Sequence, residues 1–355
     1  MERKARFILI ALFLLAWLSG CATTAYQYTE PSYQAPPRPG SVLEQVSLDP
    51  SLEERILALN PERVTGRDVG EVLSRAPAPR IINIHGGRYP VYRAMISFSK
   101  FLIGMGYPED RIRNPGDGSY SFSCYGSSEK IAGAIAWYYE REGLRPMMVG
   151  HSQGGMQAVK VLYQLNGTFG DEVRVWNPLT KETEERTSIL DPFTGVQRPV
   201  VGIGVSYVSA VGAGGLTRLL PNQWIMTARL RSIPDTAAEF TGFTIPMDLL
   251  GGDLLGYGSA NQYVADGVAR VRNVRLPFGY SHGKVPMTAH LVESEEIKDW
   301  INHYIPEDKP ELDVELKGDT HHILWAADVW CSVKRHWVLE LQHLIMTKRK
   351  MTYAR

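Results

Sequence analysis

The feature that most constrains this chain is a strand-like run that turns, through glycines, directly into a helix. Met147-Met148-Val149 is short and apolar, Gly150-His151-Ser152-Gln153-Gly154 follows, and Met156, Val159 and Leu162 then recur at helical spacing. Glycines on both sides of Ser152 let the backbone reverse sharply. A strand-turn-helix is part of a βαβ unit, and the rest of the chain repeats the theme.

Ile81-Ile82-Asn83-Ile84 reads as a buried strand, and residues 200–208, 240–245 and 268–276 as further strands. Between them, residues 93–105, 126–143 and 156–165 have helical patterning, and 294–304 reads as a closing helix capped by Ser294. Residues 51–75 also look helical, ending before Pro77 and Pro79. Strands separated by helices of this length predict an α/β fold with a mostly parallel central sheet. The main domain is placed at 46–309, with a polar, turn-rich hairpin excursion at 166–198 and a helical extension at 310–355 centred on a helix over 326–346.

Composition narrows the function classes. Lys+Arg and Asp+Glu are equal at 38 each, so no basic field exists to hold nucleic acid through its phosphates. A hydrophobic content of 44% supports a sizeable core rather than disorder. Three cysteines are too few for a disulfide scaffold and lack zinc-site spacing. Nothing in the chain calls for a metal or another cofactor.

The N-terminus reads as an address. Arg3, Lys4 and Arg6 precede an apolar run over 7–18, then Ser19-Gly20-Cys21, the pattern of a secretory signal too short to span a membrane comfortably. Leu18-Ser19-Gly20-Cys21 also resembles the lipobox of bacterial lipoproteins, which implies cleavage after residue 20 and lipid on Cys21. Residues 22–40, rich in Pro, Tyr, Gln and Thr, extend this into a tether over 21–45. Loss of 1–20 leaves 35 basic against 37 acidic residues, no electrostatic reason to lie on anionic lipid. Ala22 and Thr23 carry no acidic sorting signal, which by resemblance points to the outer membrane, facing the periplasm.

G-x-S-x-G occurs twice, at 150–154 and at 279–283, so context must separate the two. Ser152 follows a strand and opens a helix, whereas Ser281 is followed by Lys284-Val285-Pro286 and reads as accidental. His85-Gly86-Gly87, at the end of an earlier strand, is a glycine turn placed to supply a backbone donor near Gly87; Gln153, after the serine, supplies another.

With these parts, residues 78–305 resemble the α/β-hydrolase superfamily, in its bacterial lipase/esterase-like branch. The resemblance implies a serine esterase working through an acyl-enzyme on acyl-ester substrates, with the triad in the order serine, acid, histidine. Ser152 is the nucleophile. Asp253, in a glycine-flanked loop beyond the strand at 240–245, is the first choice of acid; Asp248, nearer the strand, is the second. His282, reached by a glycine turn after the strand at 268–276, is the first choice of base, and His290 the second. An acyltransferase using the same triad and a non-catalytic envelope scaffold remain open alternatives.

Other features take structural readings. Asp235 reads as a helix N-cap and Asp266 as a solvated turn residue. His321-His322 reads as a solvated linker, Gly212-x-Gly214-Gly215 as a flexible loop, and Trp325, Trp330 and Trp337 as a packing stripe. Cys124 and Cys331 are the pair a disulfide would use in an oxidising compartment.

Overall fold

A computed structural model describes residues 48–87, 89–215, 221–251 and 262–353. The leader, Cys21 and the tether lie outside these residues, as does Asp253.

A six-stranded sheet forms the centre, in the spatial order β12-β10-β8-β3-β1-β2, with every pairing parallel. The inner strands are β1 (Ile81–His85), β3 (Met147–His151), β8 (Val205–Val211) and β10 (Ala237–Thr244). β3 and β8 are buried at every position, which is why apolar residues dominate both of their faces instead of alternating with charged ones. The edges differ. β12 (Arg270–Arg275) is arginine-rich and partly exposed, chemistry that discourages further pairing. β2 (Phe122–Ser123), on the far side, is two residues long and carries no signal that the sequence reading caught.

Helices flank the sheet. α3 (Tyr89–Gly104) follows β1, α4 (Ser128–Glu142) follows β2, and α5 (Gln153–Leu165) follows β3. Ser127 caps α4 through its side chain, and Gly143 ends it at φ 63. α6 (Glu295–His303) is capped by Ser294 as expected. Residues 51–75 are not one helix. Asn60-Pro61 breaks the pattern, leaving α1 (Pro50–Leu57) and α2 (Gly66–Glu71) joined by a short 3-10 turn. The excursion forms two hairpins, β4 (Trp176–Asn177) with β5 (Glu182–Thr183), and β6 (Ser188–Leu190) with β7 (Gln197–Pro199). Strand β8 starts five residues later than the sequence suggested, because Val200–Gly204 is spent in a turn with Gly202 at φ 91.

Two aspartates are reassigned. Asp235 caps no helix: it sits between β9 (Ser232–Pro234) and β10, where Oδ1 accepts from the Val268 and Ala269 amides at 2.6 and 2.9 Å. Asp266 ends another short strand, β11 (Val264–Asp266), which pairs with β9.

The C-terminal helix is no appendage. α7 (Ile323–Tyr353) packs on β8, α1 and α6, with Trp325, Trp330 and Trp337 all at 0% exposure. Four of its charged residues, Asp328, Lys334, Arg335 and Glu340, are buried too, and each finds a partner. Asp328 pairs with Arg272 of β12, and Arg335 with Glu239 of β10. Glu340 accepts from Arg145 at 2.7 Å, and Lys334 donates to the carbonyls of Val64 and Asn302 at 2.6 and 2.9 Å. Burial alone would raise the Glu239 carboxyl, but His336 and Arg335 hold it down to about 2. Such pairs set helix register more surely than they add stability, because removing one partner strands a buried charge. Cys124 and Cys331 are not joined.

Truncation after residue 309 is therefore expected to abolish cooperative folding. Trp337→Ala should lower the unfolding free energy by about 3–5 kcal/mol in urea titrations; a loss below about 1 kcal/mol would contradict the packing described for α7.

Candidate active site

Ser152 stands where β3 turns into α5, with φ 57 and ψ −129. This is a region L-residues rarely occupy, and its cost is on the order of 1–3 kcal/mol. The turn closes because its neighbours are glycines. A Cβ on Gly150 would lie 2.6 Å from the Gly155 Cα, and one on Gly154 would collide with the Ile84 carbonyl of β1. The Ser152 amide donates to the Val211 carbonyl at 2.9 Å, tying the elbow to β8. The hydroxyl is thereby held above the C-terminal ends of the strands, where open parallel sheets place their ligands.

His282 meets it there. Strand β12 ends at Arg275, and the chain turns through Pro277 and Gly279 (φ 100). Val285, fully buried, and Tyr280, whose hydroxyl accepts from the Leu324 amide at 3.1 Å, anchor the loop. The His282 Nε2 lies 2.8 Å from Ser152 Oγ, and Nδ1 lies 2.6 Å from Asp248 Oδ2. Asp248 is buried; its other oxygen accepts from the Gly251 amide at 3.0 Å. An ionised carboxylate can only accept, so His282 carries its hydrogen on Nδ1 and presents a bare Nε2 to the serine hydroxyl.

The carboxylate on the histidine is thus that of Asp248, the second choice, four residues past the end of β10. The first choice, Asp253, lies outside the described residues. Glycine flanks drew the sequence reading to 253, whereas the short distance from the strand end was the better signal. Met247, just before the acid, is at φ 61 and is exposed, a second strained backbone beside the site. His290 is elsewhere. It sits in a 3-10 turn against α3, with the Ala289 amide donating to Ser97 Oγ and His290 Nε2 3.7 Å from Asp319. The second G-x-S-x-G is no elbow, but it carries the His282 that faces Ser152.

The glycine turn after β1 closes over the serine. A Cβ on Gly86 would lie 2.8 Å from Ser152 Cβ, and one on Gly87 would lie 3.1 Å from Gln153 Oε1. Gln153 is the first residue of α5, where backbone N–H groups have no intrahelical acceptor. Gly87 and Gln153 are thus brought together beside Oγ. The Gly87 carbonyl accepts from the Tyr125 hydroxyl at 3.1 Å.

Three residues take places in the site that their sequence context does not reveal. Gly212, read as part of a flexible loop, ends β8 at φ 54, and a Cβ there would stand 3.0 Å from both Asp248 Oδ2 and His282 Nδ1. His85 is largely buried, with Nδ1 3.0 Å from Ser121 Oγ. His151 is fully buried, with Nε2 2.6 Å from the His282 carbonyl oxygen. Burial lowers His85 to about 4 and, with the neighbouring His282, lowers His151 to about 3. His322 also departs from the linker reading: it is buried against Tyr280, and burial lowers it to about 4.

Among the described residues no group of side chains is arranged to hold a metal ion, and no helix is long and apolar enough to cross a membrane. Two clefts, of about 490 and 550 Å³, lie at the α2–α6 groove and around residues 300–313, away from Ser152. Comparison with protein-family models, curated proteins and solved structures returns no match.

Neutral buried histidines make stability pH-dependent with a definite sign. Unfolded, His85 and His151 protonate near the ordinary 6.5; folded, they resist until about 4 and about 3. Between those values the unfolded chain binds more protons, so stability falls as pH falls. Urea titrations should show unfolding free energy dropping below about pH 6.5, by up to about 1.4 kcal/mol per unit for each histidine. Equal stability at about pH 7 and about pH 5 would contradict the assignment.

Proposed function

We propose that this chain is a serine hydrolase of the α/β-hydrolase type, cleaving carboxylic esters through an acyl-enzyme. The observation that carries the reading is the continuous chain of contacts Ser152–His282–Asp248, at 2.8 and 2.6 Å, built on a strained strand-to-helix turn. The three side chains follow in the order serine, acid, histidine, from the ends of β3, β10 and β12. That order and the parallel strand arrangement support the hydrolase assignment within the broader α/β class.

Each part has a task in acyl transfer. As Ser152 Oγ attacks the ester carbonyl, its proton passes to His282 Nε2, and Asp248 stabilises the resulting imidazolium. The carbonyl oxygen gains negative charge, which the backbone N–H of Gln153 and a donor from the turn at Gly87 are placed to receive. Collapse expels the alcohol, which takes the proton from His282. Water, deprotonated by the same imidazole, then releases the acid and frees Ser152. No cofactor is needed for any of these steps.

Apolar side chains flank the catalytic residues. Met247 and Leu249 bracket Asp248, Phe278 precedes His282 by four residues, and Tyr125 covers Gly87; each is more than half exposed. Such a rim suits esters with an apolar acyl part, so short- to medium-chain acyl esters are the first substrates to try. A scaffold without catalysis would need no imidazole seated between a serine and a buried carboxylate, so the contact chain favours the catalytic reading. Passage of the acyl group to an alcohol other than water would use the same parts. For location we propose lipid attachment at Cys21 with residues 22–40 as spacer, on the residue pattern alone.

The decisive assay compares wild type with Ser152→Ala on p-nitrophenyl esters, folding of both being checked by circular dichroism. Turnover should fall by several orders of magnitude in the variant; equal turnover would refute the serine mechanism. Asp248→Asn should lower turnover by about 10⁴-fold, because the amide sets the wrong imidazole tautomer; a wild-type rate would return the acid role to Asp253. Mass spectrometry of the mature N-terminus should find lipid on Cys21, and an unmodified Cys21 or an intact Met1 would sink the anchoring proposal.

A further inference from the structure

His151 precedes the nucleophile by one residue and touches none of the reacting atoms. It lies at the end of β3 with 0% exposure, in a strand otherwise filled by Met147, Met148, Val149 and Gly150. A branched aliphatic side chain would suit such a place. The histidine instead carries a penalty: its Nδ1 is sealed from water and has no hydrogen-bond partner among the described residues. A polar group kept at that cost is explained only by what its other nitrogen does.

That nitrogen, Nε2, lies 2.6 Å from the backbone carbonyl oxygen of His282. A carbonyl only accepts, so Nε2 carries the hydrogen and donates it, and Nδ1 is left bare. We propose that His151 is the positioning residue of the general base, tying the His282 backbone to the strand end that carries the nucleophile. This inference rests on the hydrolase reading.

Two structural facts make the tie consequential. First, the stretch just before His282 is open, although Tyr280 and Val285 anchor the loop on either side: Phe278 is 77% exposed, and a Cβ built on Gly279, at φ 100, would meet nothing within 4 Å. The ring contacts to Ser152 and Asp248 fix the imidazole's orientation, but not where its backbone stands. Because His151 and Ser152 are consecutive, the Nε2–carbonyl bond sets the spacing of serine and base from a common anchor. Misplacement of catalytic groups by about 1 Å can cost about 10²-fold in rate.

Second, the tie is neutral. The two imidazole rings are 5.3 Å apart, and His282 gains a positive charge each time it accepts the serine proton. A lysine or arginine would donate to the same carbonyl but would place a like charge beside the imidazolium. A buried histidine donates without that charge, since burial keeps it neutral down to about 3.

The test uses the full chain and two variants, His151→Leu, which removes the donor, and His151→Gln, which keeps an uncharged one. With folding matched by circular dichroism and thermal melts, His151→Leu should slow fluorophosphonate labelling of Ser152 on the order of 10²-fold. Its kcat should fall in step, with KM changed by less than about twofold, and His151→Gln should recover at least about tenfold. In a His282→Ala background, His151→Leu should add no further loss, because its effect passes through the missing ring. Labelling at the wild-type rate, or an equal loss in that background, overturns the proposal. A separate readout needs neither activity nor a variant that folds. Ring ¹⁵N NMR of the wild-type protein should show His151 as the neutral Nε2–H tautomer from about pH 8 to about pH 5; the Nδ1–H tautomer, or titration near the ordinary 6.5, overturns it. Failure of wild-type Ser152 to label would sink the hydrolase reading instead, and the NMR result would still judge the tie.

Discussion

The site depends on one forced turn. Ser152 adopts a backbone conformation that its own side chain disfavours, and it does so because β3 and α5 pack too closely for any other connection. The glycines at 150 and 154 remove the Cβ atoms that would hold strand and helix apart. Two backbone hydrogen bonds, from the Ser152 N–H to the Val211 carbonyl and from the Gly155 N–H to the Ser152 carbonyl, each 2.9 Å, hold the turn shut. From this follow the outward aim of the hydroxyl, the start of α5 at Gln153, and the closeness of the glycine turn after β1. Relaxing the turn would dissolve all three together, which is why the strain is best understood as part of the site rather than a defect.

The rest of the arrangement is set by strand order. Ser152, Asp248 and His282 follow the ends of β3, β10 and β12, and β8 lies between the first two. The Asp248–His282 pair must therefore lie over the end of a strand that contributes no side chain to it. Gly212 meets that demand: at φ 54 it takes a conformation open to glycine, and it leaves the space that the carboxylate and imidazole occupy. The gap at β8 is as much a part of the geometry as the groups that fill it.

How much of this could be read from the residues follows from the range of the forces involved. The elbow is local, since glycine, serine and the switch from a buried run to helical spacing fall within sixteen residues, and it was legible. So was His282, because a strand end and a glycine turn lead directly to it. The acid was harder: Asp248 and Asp253 lie five residues apart in the sequence, and it takes the folded chain to bring the Asp248 carboxylate onto Nδ1. Strand β2, with two residues, has no periodicity to detect. The role of α7 was hidden for a different reason. Asp328, Lys334, Arg335 and Glu340 give no local sign of burial, because their partners, Arg272, Val64, Glu239 and Arg145, come in from far along the chain. His151 stood in plain view within the motif, in a position the motif leaves unspecified.

The way α7 closes the molecule has a kinetic side. Gln342 donates to the carbonyls of Ile56 and Leu59 at 3.1 and 2.9 Å, and Arg349 pairs with Glu53 and Glu54. The first and last described helices thus clasp one another, and the three tryptophans that complete the core arrive after every strand of the sheet. A nascent chain that has made all six strands, with Ser152, Asp248 and His282 among them, still lacks the layer that shields β8. It must wait, apolar surface uncovered, for the 31 residues of α7, a period in which it is open to aggregation and to any chaperone that recognises exposed β-structure.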